Sequence, residues 1–223
     1  MKKTIFFRVD GDEGKFSGLG HIYRSIKIYK YLKKRLNLNY EFIFLSKYRI
    51  GKILLKKHTK EKVLNYTNNI FNKLKICEND IFIIDTLGAE KFLLKKKNQI
   101  KLKKISFDEL KTNLFLKGLI INGILFAKKK LKKKQDINIY QGLKYIILNK
   151  EYKVKKKVKD INVNNLTALV CSGGADNRGF LYKISSILKN TKLKKINVVV
   201  GKAVNKNNKI FKLKSKKINI ILN

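Results

Sequence analysis

Proline and tryptophan are absent from the 223 residues, methionine occurs once, and cysteine and histidine occur twice each. Each shortage removes a class of protein. Cys77 and Cys171 stand alone, without paired spacing or a neighbouring histidine, which excludes a disulfide scaffold and a zinc site. Both read as buried thiols in a reducing cytoplasm. Arginine, whose planar fork reads guanine and grips phosphate, stands only at Arg8, Arg24, Arg35, Arg49 and Arg178. No apolar run is long enough for a membrane: the stretch from Gly118 to Ala127 contains Asn122 and is about half of the roughly 20 residues a span needs. The start, Met1 to Phe7, resembles a signal peptide, but Arg8 and Asp10 end its apolar run too early, so a cytoplasmic location is expected.

What is present is lysine. The chain carries 54 Lys+Arg against 15 Asp+Glu, a net charge of +39. The lysines are spread over the whole length, in short runs such as 95–97, 128–130, 132–134 and 155–157. They read as solvated faces and loops, so no nucleic acid is expected as partner. A lysine-rich module for RNA or an anionic surface is the alternative from a different class. Abundant Lys, Asn and Ile with no Pro or Trp match an AT-rich coding sequence. Apolar residues make up 44% of the chain, enough to bury a core, and a monomer is the favoured state.

Short apolar, β-rich runs alternate with helical patterns, the mark of a parallel sheet with helices on its faces. The runs are Thr4 to Val9, Tyr40 to Leu45, Asp80 to Asp85, Lys104 to Phe107, Leu119 to Ile121 and Tyr145 to Leu148. Between the first two, Ile22, Ile26, Tyr29, Leu32 and Leu36 fall on one face of a helix over 20–36. Residues 153–165 are polar and aperiodic and read as a linker after a first domain over 1–152. A second unit over 166–223 has strands at Leu166 to Cys171, Ile196 to Val200 and Ile218 to Leu222 and a helix at Phe180 to Leu188. Three strands with so few helices leave a parallel sheet half covered, so this second domain is expected to be incomplete. The fold class is α/β, two Rossmann-type domains with parallel sheets.

Two loops carry chemistry. Arg8-Val9-Asp10 ends the first strand, and Gly18-Leu19-Gly20-His21-Ile22-Tyr23-Arg24 opens the first helix. The glycines permit close backbone approach, and the unpaired N–H groups of a helix start favour an anion such as phosphate. The same positive field disfavours a charge on the His21 ring, leaving it able to accept a proton as a general base. A histidine that merely packs at a helix start is the plain alternative. The second loop, Ser172-Gly173-Gly174-Ala175-Asp176, also follows a strand and precedes a helix, and a glycine pair there is able to cradle a diphosphate or simply to turn. Neither loop is a Walker A or a Gly-x-Gly-x-x-Gly fingerprint. Asp85-Thr86, Asp108-Glu109 and Asn122 lie at carboxyl ends of strands, where α/β sheets bind ligands, though such residues often serve as caps. His58 sits in a lysine-rich loop and receives no role.

In this order the motifs resemble the UDP-sugar hydrolases of the pseudaminic acid pathway, which release UDP from UDP-2,4-diacetamido-2,4,6-trideoxy-β-L-altropyranose, and related spore-coat polysaccharide proteins. The resemblance rests on Arg8-x-Asp10, Gly18-x-Gly20-His21-x-x-Arg24, Ile84-Asp85-Thr86, Asp108-Glu109, Asn122, the 142–148 segment, Ser172-Gly173-Gly174-Ala175-Asp176 and Val199-Val200-Gly201. It implies a glycosyltransferase-B-like pair of domains that needs no metal or other cofactor and takes a UDP-sugar. His21 would activate water to attack the anomeric carbon, and Asp10 would orient His21 or bind the sugar. Gly18, Gly20, Arg24, Asp85, Asn122, Ser172, Gly173, Gly174 and Asp176 would hold the substrate. Asp108-Glu109 departs from the paired aspartates of the family. A sugar transferase of the same fold, using an acceptor hydroxyl in place of water, is the alternative within enzymes.

Overall fold

The computed structural model describes residues 3–12, 18–36, 39–67, 70–86, 103–107, 118–123, 136–148, 165–174, 176, 178–202 and 204–222. Asp108, Glu109, Ala175 and residues 153–164 of the expected linker lie outside them. Two units are distinguished, one of residues 1–11 and 21–149, the other of residues 12–20 and 150–223. Both are α/β units built on parallel sheets.

The first unit holds β1 (Lys3–Val9), α1 (Gly20–Leu36), β2 (Tyr40–Ser46), α2 (Arg49–His58), β3 (Lys62–Asn65), α3 (Ile70–Lys73), β4 (Ile81–Asp85), β5 (Lys103–Phe107), β6 (Gly118–Asn122) and β7 (Ile137–Gln141). Its seven strands run in the order β3-β2-β1-β4-β5-β6-β7, every pairing parallel. β1 and β2 each end in five consecutive buried residues, as strands covered on both faces must. On one face Phe7 stacks on Phe44 at 4.9 Å and packs with Ile22, Ile26 and Tyr29 of α1 and Leu55 of α2. On the other, Phe6 stacks on Phe82 at 4.8 Å beside Ile43, Leu45 and Ile70 of α3. The helical face read from the sequence is the one that α1 buries. Ile22 is wholly enclosed, so its truncation to Ala would cost about 2–5 kcal/mol.

Three readings are corrected. Tyr145–Leu148 is not a strand: Gly142, at φ 120°, turns the chain out of the sheet into a 3₁₀ turn at Leu143–Tyr145. The seventh strand is instead β7, a half-exposed edge whose buried anchor is Ile137. His58 is the last residue of α2 rather than part of a loop, and its ring meets Tyr23 edge-on at 6.3 Å. Both cysteines are exposed, Cys77 in the turn before β4 and Cys171 at the end of the strand Thr167–Cys171.

The second unit contains β8 (Thr167–Cys171), α4 (Phe180–Lys189), β9 (Lys195–Val200), a 3₁₀ turn at Lys209–Leu213 and β10 (Ile218–Leu222), with strand order β10-β9-β8, all parallel. Val170, Leu181, Ile196, Val198, Val200, Ile210 and Ile218 form its core. Only Val170 of β8 is buried. Strand alternation sends Leu169 and Cys171 to the other face, which explains the exposed thiol. Among the described residues no helix is long and apolar enough to cross a membrane.

Candidate active site

The strand order of the first sheet reverses between β1 and β4: the chain moves outward to β2 and β3, then returns to place β4 on the other side of β1. Open parallel sheets bind ligands in the crevice beyond the carboxyl ends of strands at such a reversal. α1 starts there. The first turn of α1 contains no acidic residue, so its N–H groups and dipole face no carboxylate of their own helix.

His21, Arg24 and Ser25 occupy positions i, i+3 and i+4 of α1 and so share one face. All three converge on Asp85 at the end of β4. His21 Nδ1 lies 2.6 Å from Asp85 Oδ1, Arg24 Nε donates to Oδ2 at 2.8 Å and Arg24 Nη2 to Oδ1 at 2.5 Å, and the Ser25 hydroxyl stands 3.4 Å from Oδ2. Asp85 is 0% exposed. Burial alone would raise its pKa, but the Arg24 and His21 hydrogen bonds and charges outweigh that and hold the carboxyl below the ordinary aspartate value.

An ionised carboxylate accepts only, so the ring nitrogen that faces it carries the hydrogen. The 3.3 Å approach of Arg24 Nη2 to His21 Nδ1 is then two donors sharing one acceptor, not a bond between them. With Nδ1 protonated, the neutral ring keeps its lone pair on Nε2. A histidine side chain about one-fifth exposed, backed by an enclosed carboxylate, is arranged to take a proton from a bound molecule.

Asp10 does not touch this cluster. Its carboxylate accepts from Arg8 Nη2 at 2.5 Å, the Lys47 N–H at 2.8 Å and the Thr86 hydroxyl at 3.3 Å. Arg8 in turn donates to the Leu45 carbonyl at 3.4 Å and lies 3.9 Å from the centroid of the Tyr66 ring. Of the two roles expected of Asp10, orienting His21 or binding the sugar, the first does not fit these contacts: the carboxylate facing His21 is that of Asp85, and Asp10 neutralises a buried arginine. Asp85 and Asn122 were expected to hold substrate, yet both are 0% exposed. Asp85 is bonded to His21 and Arg24, and the Asn122 backbone carbonyl receives the Gly142 N–H at 2.9 Å. Of the expected residues in this unit, His21 and Arg24 have exposed side-chain surface near the crevice.

Gly18 lies two residues before α1 and Gly20 is its first residue, and a Cβ at either would meet nothing within 4 Å among the described residues; neither has positive φ. The second glycine loop differs. Gly173 adopts φ 79°, and a Cβ on Gly201 would stand 2.3 Å from the Gly173 carbonyl oxygen. Asp176 accepts the Phe180 N–H at 2.8 Å and the Leu181 N–H at 3.2 Å, so this residue, expected to bind substrate, caps α4. Ser172 lies half-buried beside the turn.

A cavity of about 160 Å³ adjoins Arg24, bounded by Phe107 and Ile121 from β5 and β6 and by the Tyr145–Ile147 segment. Sequence reasoning missed it because its far wall belongs to the segment assigned to a strand. Among the described residues, no three His, Cys, Asp or Glu side chains are grouped to hold a metal ion.

No family model matches the chain. An uncharacterized protein of Methanocaldococcus jannaschii is similar, with 31% identity over 196 residues. The matched region is 82% of this chain and 40% of that relative, so the chain spans less than half the length of the protein it matches.

Proposed function

We propose that the protein is a UDP-sugar hydrolase that releases UDP from a UDP-linked diacetamido-trideoxy sugar during formation of pseudaminic or a related nonulosonic acid, in the cytoplasm. The observation that carries this reading is the His21–Asp85–Arg24 cluster at the strand-order reversal, on a helix whose first turn holds no acidic residue.

In this reaction Nε2 of His21 removes a proton from water as its oxygen attacks the anomeric carbon from the face opposite UDP. The new C–O bond forms as the bond to the diphosphate oxygen breaks, inverting the carbon, and the electron pair leaves with UDP. Asp85 stabilises the imidazolium without taking its proton, and Arg24 keeps Asp85 ionised and in place. Charge growing on the leaving diphosphate is met by N–H groups at the start of α1 and by the basic surroundings that lysine provides.

Incubation of the protein with UDP-2,4-diacetamido-2,4,6-trideoxy-β-L-altropyranose, followed by chromatography of released UDP, tests the reading. His21→Gln is expected to lower release about 10²–10⁴-fold while UDP affinity is kept. Equal turnover in that variant removes His21 as the base. Release that requires an added sugar acceptor would make the protein a transferase.

A further inference from the structure

Leu19 is 5% exposed, although Gly18 before it is half-buried and Gly20 after it is exposed. Among the described residues it joins none of the three apolar clusters that pack the two sheets. It meets the second glycine loop instead. A Cβ built on Gly174 would stand 3.5 Å from Leu19 Cβ, 3.6 Å from its backbone N and 3.7 Å from its Cγ, ordinary contact distances. The leucine thus lies along the Gly174 backbone, with room between them for one methyl group. On its other side the loop is fixed, because a Cβ on Gly201, just past β9, would come 2.3 Å from the Gly173 carbonyl oxygen and 2.5 Å from that of Gly174. Leu19, Gly174 and Gly201 all belong to the second unit.

Leu19 immediately precedes α1, at the position where Ser, Thr, Asp or Asn commonly caps a helix. A leucine side chain accepts no N–H, so it holds the chain there by packing and not by hydrogen bonding. The first N–H groups of a helix have no partner within the helix, which makes the first turn sensitive to whatever fixes the chain that enters it. His21 is the second residue of that turn, and its Nδ1 stands 2.6 Å from Asp85 Oδ1, a distance with little tolerance for displacement. The chain passes from the second unit to the first between Gly20 and His21. The residue that bears the ring is therefore the first one beyond the segment that Leu19 holds.

We infer that Leu19 is a positioning residue: packed on the Gly174 backbone, it sets the start of α1 and with it the His21–Asp85 bond, so that a displacement of the second glycine loop is felt at the His21 ring. The anchor rests on packing alone; its kinetic consequence rests on the hydrolase reading.

The chain has two histidines, so ring-¹⁵N labelling of the full chain gives two sets of signals, with His58 as the internal control. Leu19→Ala is expected to speed exchange of the His21 Nδ1 proton with water about tenfold, while the His58 ring and the core amides of Ile5 and Val198 stay in place. Leu19→Met, of similar volume, should restore the slow exchange. Gly174→Val crowds the leucine and should shift the His21 ring signals. Combined with Leu19→Ala, the valine takes the vacated space and the signals should return toward their original positions, a relief that a leucine serving stability alone would not give. Should either variant not fold, Leu19→Val and Gly174→Ala carry the same test with smaller shifts. His21 signals unmoved in the folded variants overturn the inference. For UDP release, Leu19→Ala should lower kcat about tenfold to a hundredfold with KM nearly unchanged. His21 signals that respond in a protein releasing no UDP sustain the anchor and overturn the hydrolase reading alone; UDP release with His21 signals indifferent to Leu19 overturns the anchor alone.

Discussion

At the start of α1 no acidic side chain occupies the first turn, and a Cβ on Gly18 or Gly20 would meet none of the described residues; at the start of α4 the Asp176 carboxylate already takes the Phe180 and Leu181 N–H groups, and Gly201 is required by contact with the Gly173 carbonyl. Both are strand, glycine loop and helix, and by residue type both suit a diphosphate. The difference is where the helix finds its anion. A helix start offers unpaired donors and a partial positive charge, and one internal carboxylate satisfies much of both. α4 supplies its own. Among the described residues α1 has no carboxylate of its own in its first turn, and it carries a histidine whose Nδ1 faces Asp85. The first loop therefore has the features of a site, and in the second unit much of the same glycine chemistry is spent on folding.

Asp85→Asn tests the catalytic side of that comparison and should have the largest effect. The amide can donate as well as accept, so the His21 tautomer is no longer fixed and Arg24 loses its ionic partner. A loss of about 10⁴ in UDP release is expected, comparable with the aspartate of a Ser-His-Asp triad, with UDP affinity preserved. The same variant has an acid signature. Because the folded-state pKa of Asp85 lies below the ordinary 3.8, its contribution to stability is complete above that value and fades as pH falls through the folded one. Melting temperatures should thus fall less steeply in the variant as pH drops below 3.8. An unchanged acid limb together with unchanged turnover would show that the cluster is not coupled to His21.

How much of this was legible in the sequence follows from burial and topology. β1, β2 and β4 are covered on both faces and read as continuous apolar runs, and α1 shows its period because Ile22, Ile26 and Tyr29 all point to one core. β3 and β7 are edge strands with half-exposed patterns, so the stronger run at Tyr145–Leu148 drew the strand assignment that belonged to Ile137–Gln141. Lysines hid α2, where only Gly51 and Leu55 are buried. In the site, His21 and Arg24 could be read from a strand-loop-helix pattern. Their partner could not, because Asp85 is 64 residues away and becomes a neighbour only when β4 returns beside β1. Asp10, close in sequence, was the natural guess, and Arg8 had a prior claim on it. The spacing of His21, Arg24 and Ser25 was the missed signal, since three polar groups on one helix face imply a shared acceptor.

A pair of glycine substitutions sharpens the comparison with smaller effects. Gly201→Ala forces a Cβ to within 2.3 Å of one carbonyl oxygen and 2.5 Å of another, and backbone atoms cannot step aside as a side chain would. A loss of about 1–3 kcal/mol is expected, seen as faster hydrogen exchange in β8, β9 and β10 with the amides of β1 and β4 unaffected. Gly20→Ala meets no atom, so stability should hold or rise slightly, since alanine is the better helix former. UDP binding should nonetheless weaken, because the added methyl stands where the ligand approaches the helix start. If Gly20→Ala binds UDP unchanged, the α1 loop loses its claim as the anion site.

Asp176→Ala gives the smallest effect and bears most directly on the contrast between the two helix starts. Removing a carboxylate that accepts two N–H bonds at a helix start costs about 1 kcal/mol, spread over the second unit and measurable by denaturant unfolding. What distinguishes a cap from a ligand-binding residue is the response to added anion. If Asp176 is a cap, its loss bares the Phe180 and Leu181 N–H groups, and phosphate should restore part of the lost stability in the variant while leaving the unaltered protein nearly unmoved. If instead Asp176 holds substrate, the variant should lose UDP affinity, gain nothing from phosphate, and keep its stability. The first outcome would mean that the α4 start carries its own anion and that Asp176 serves the fold of the second unit.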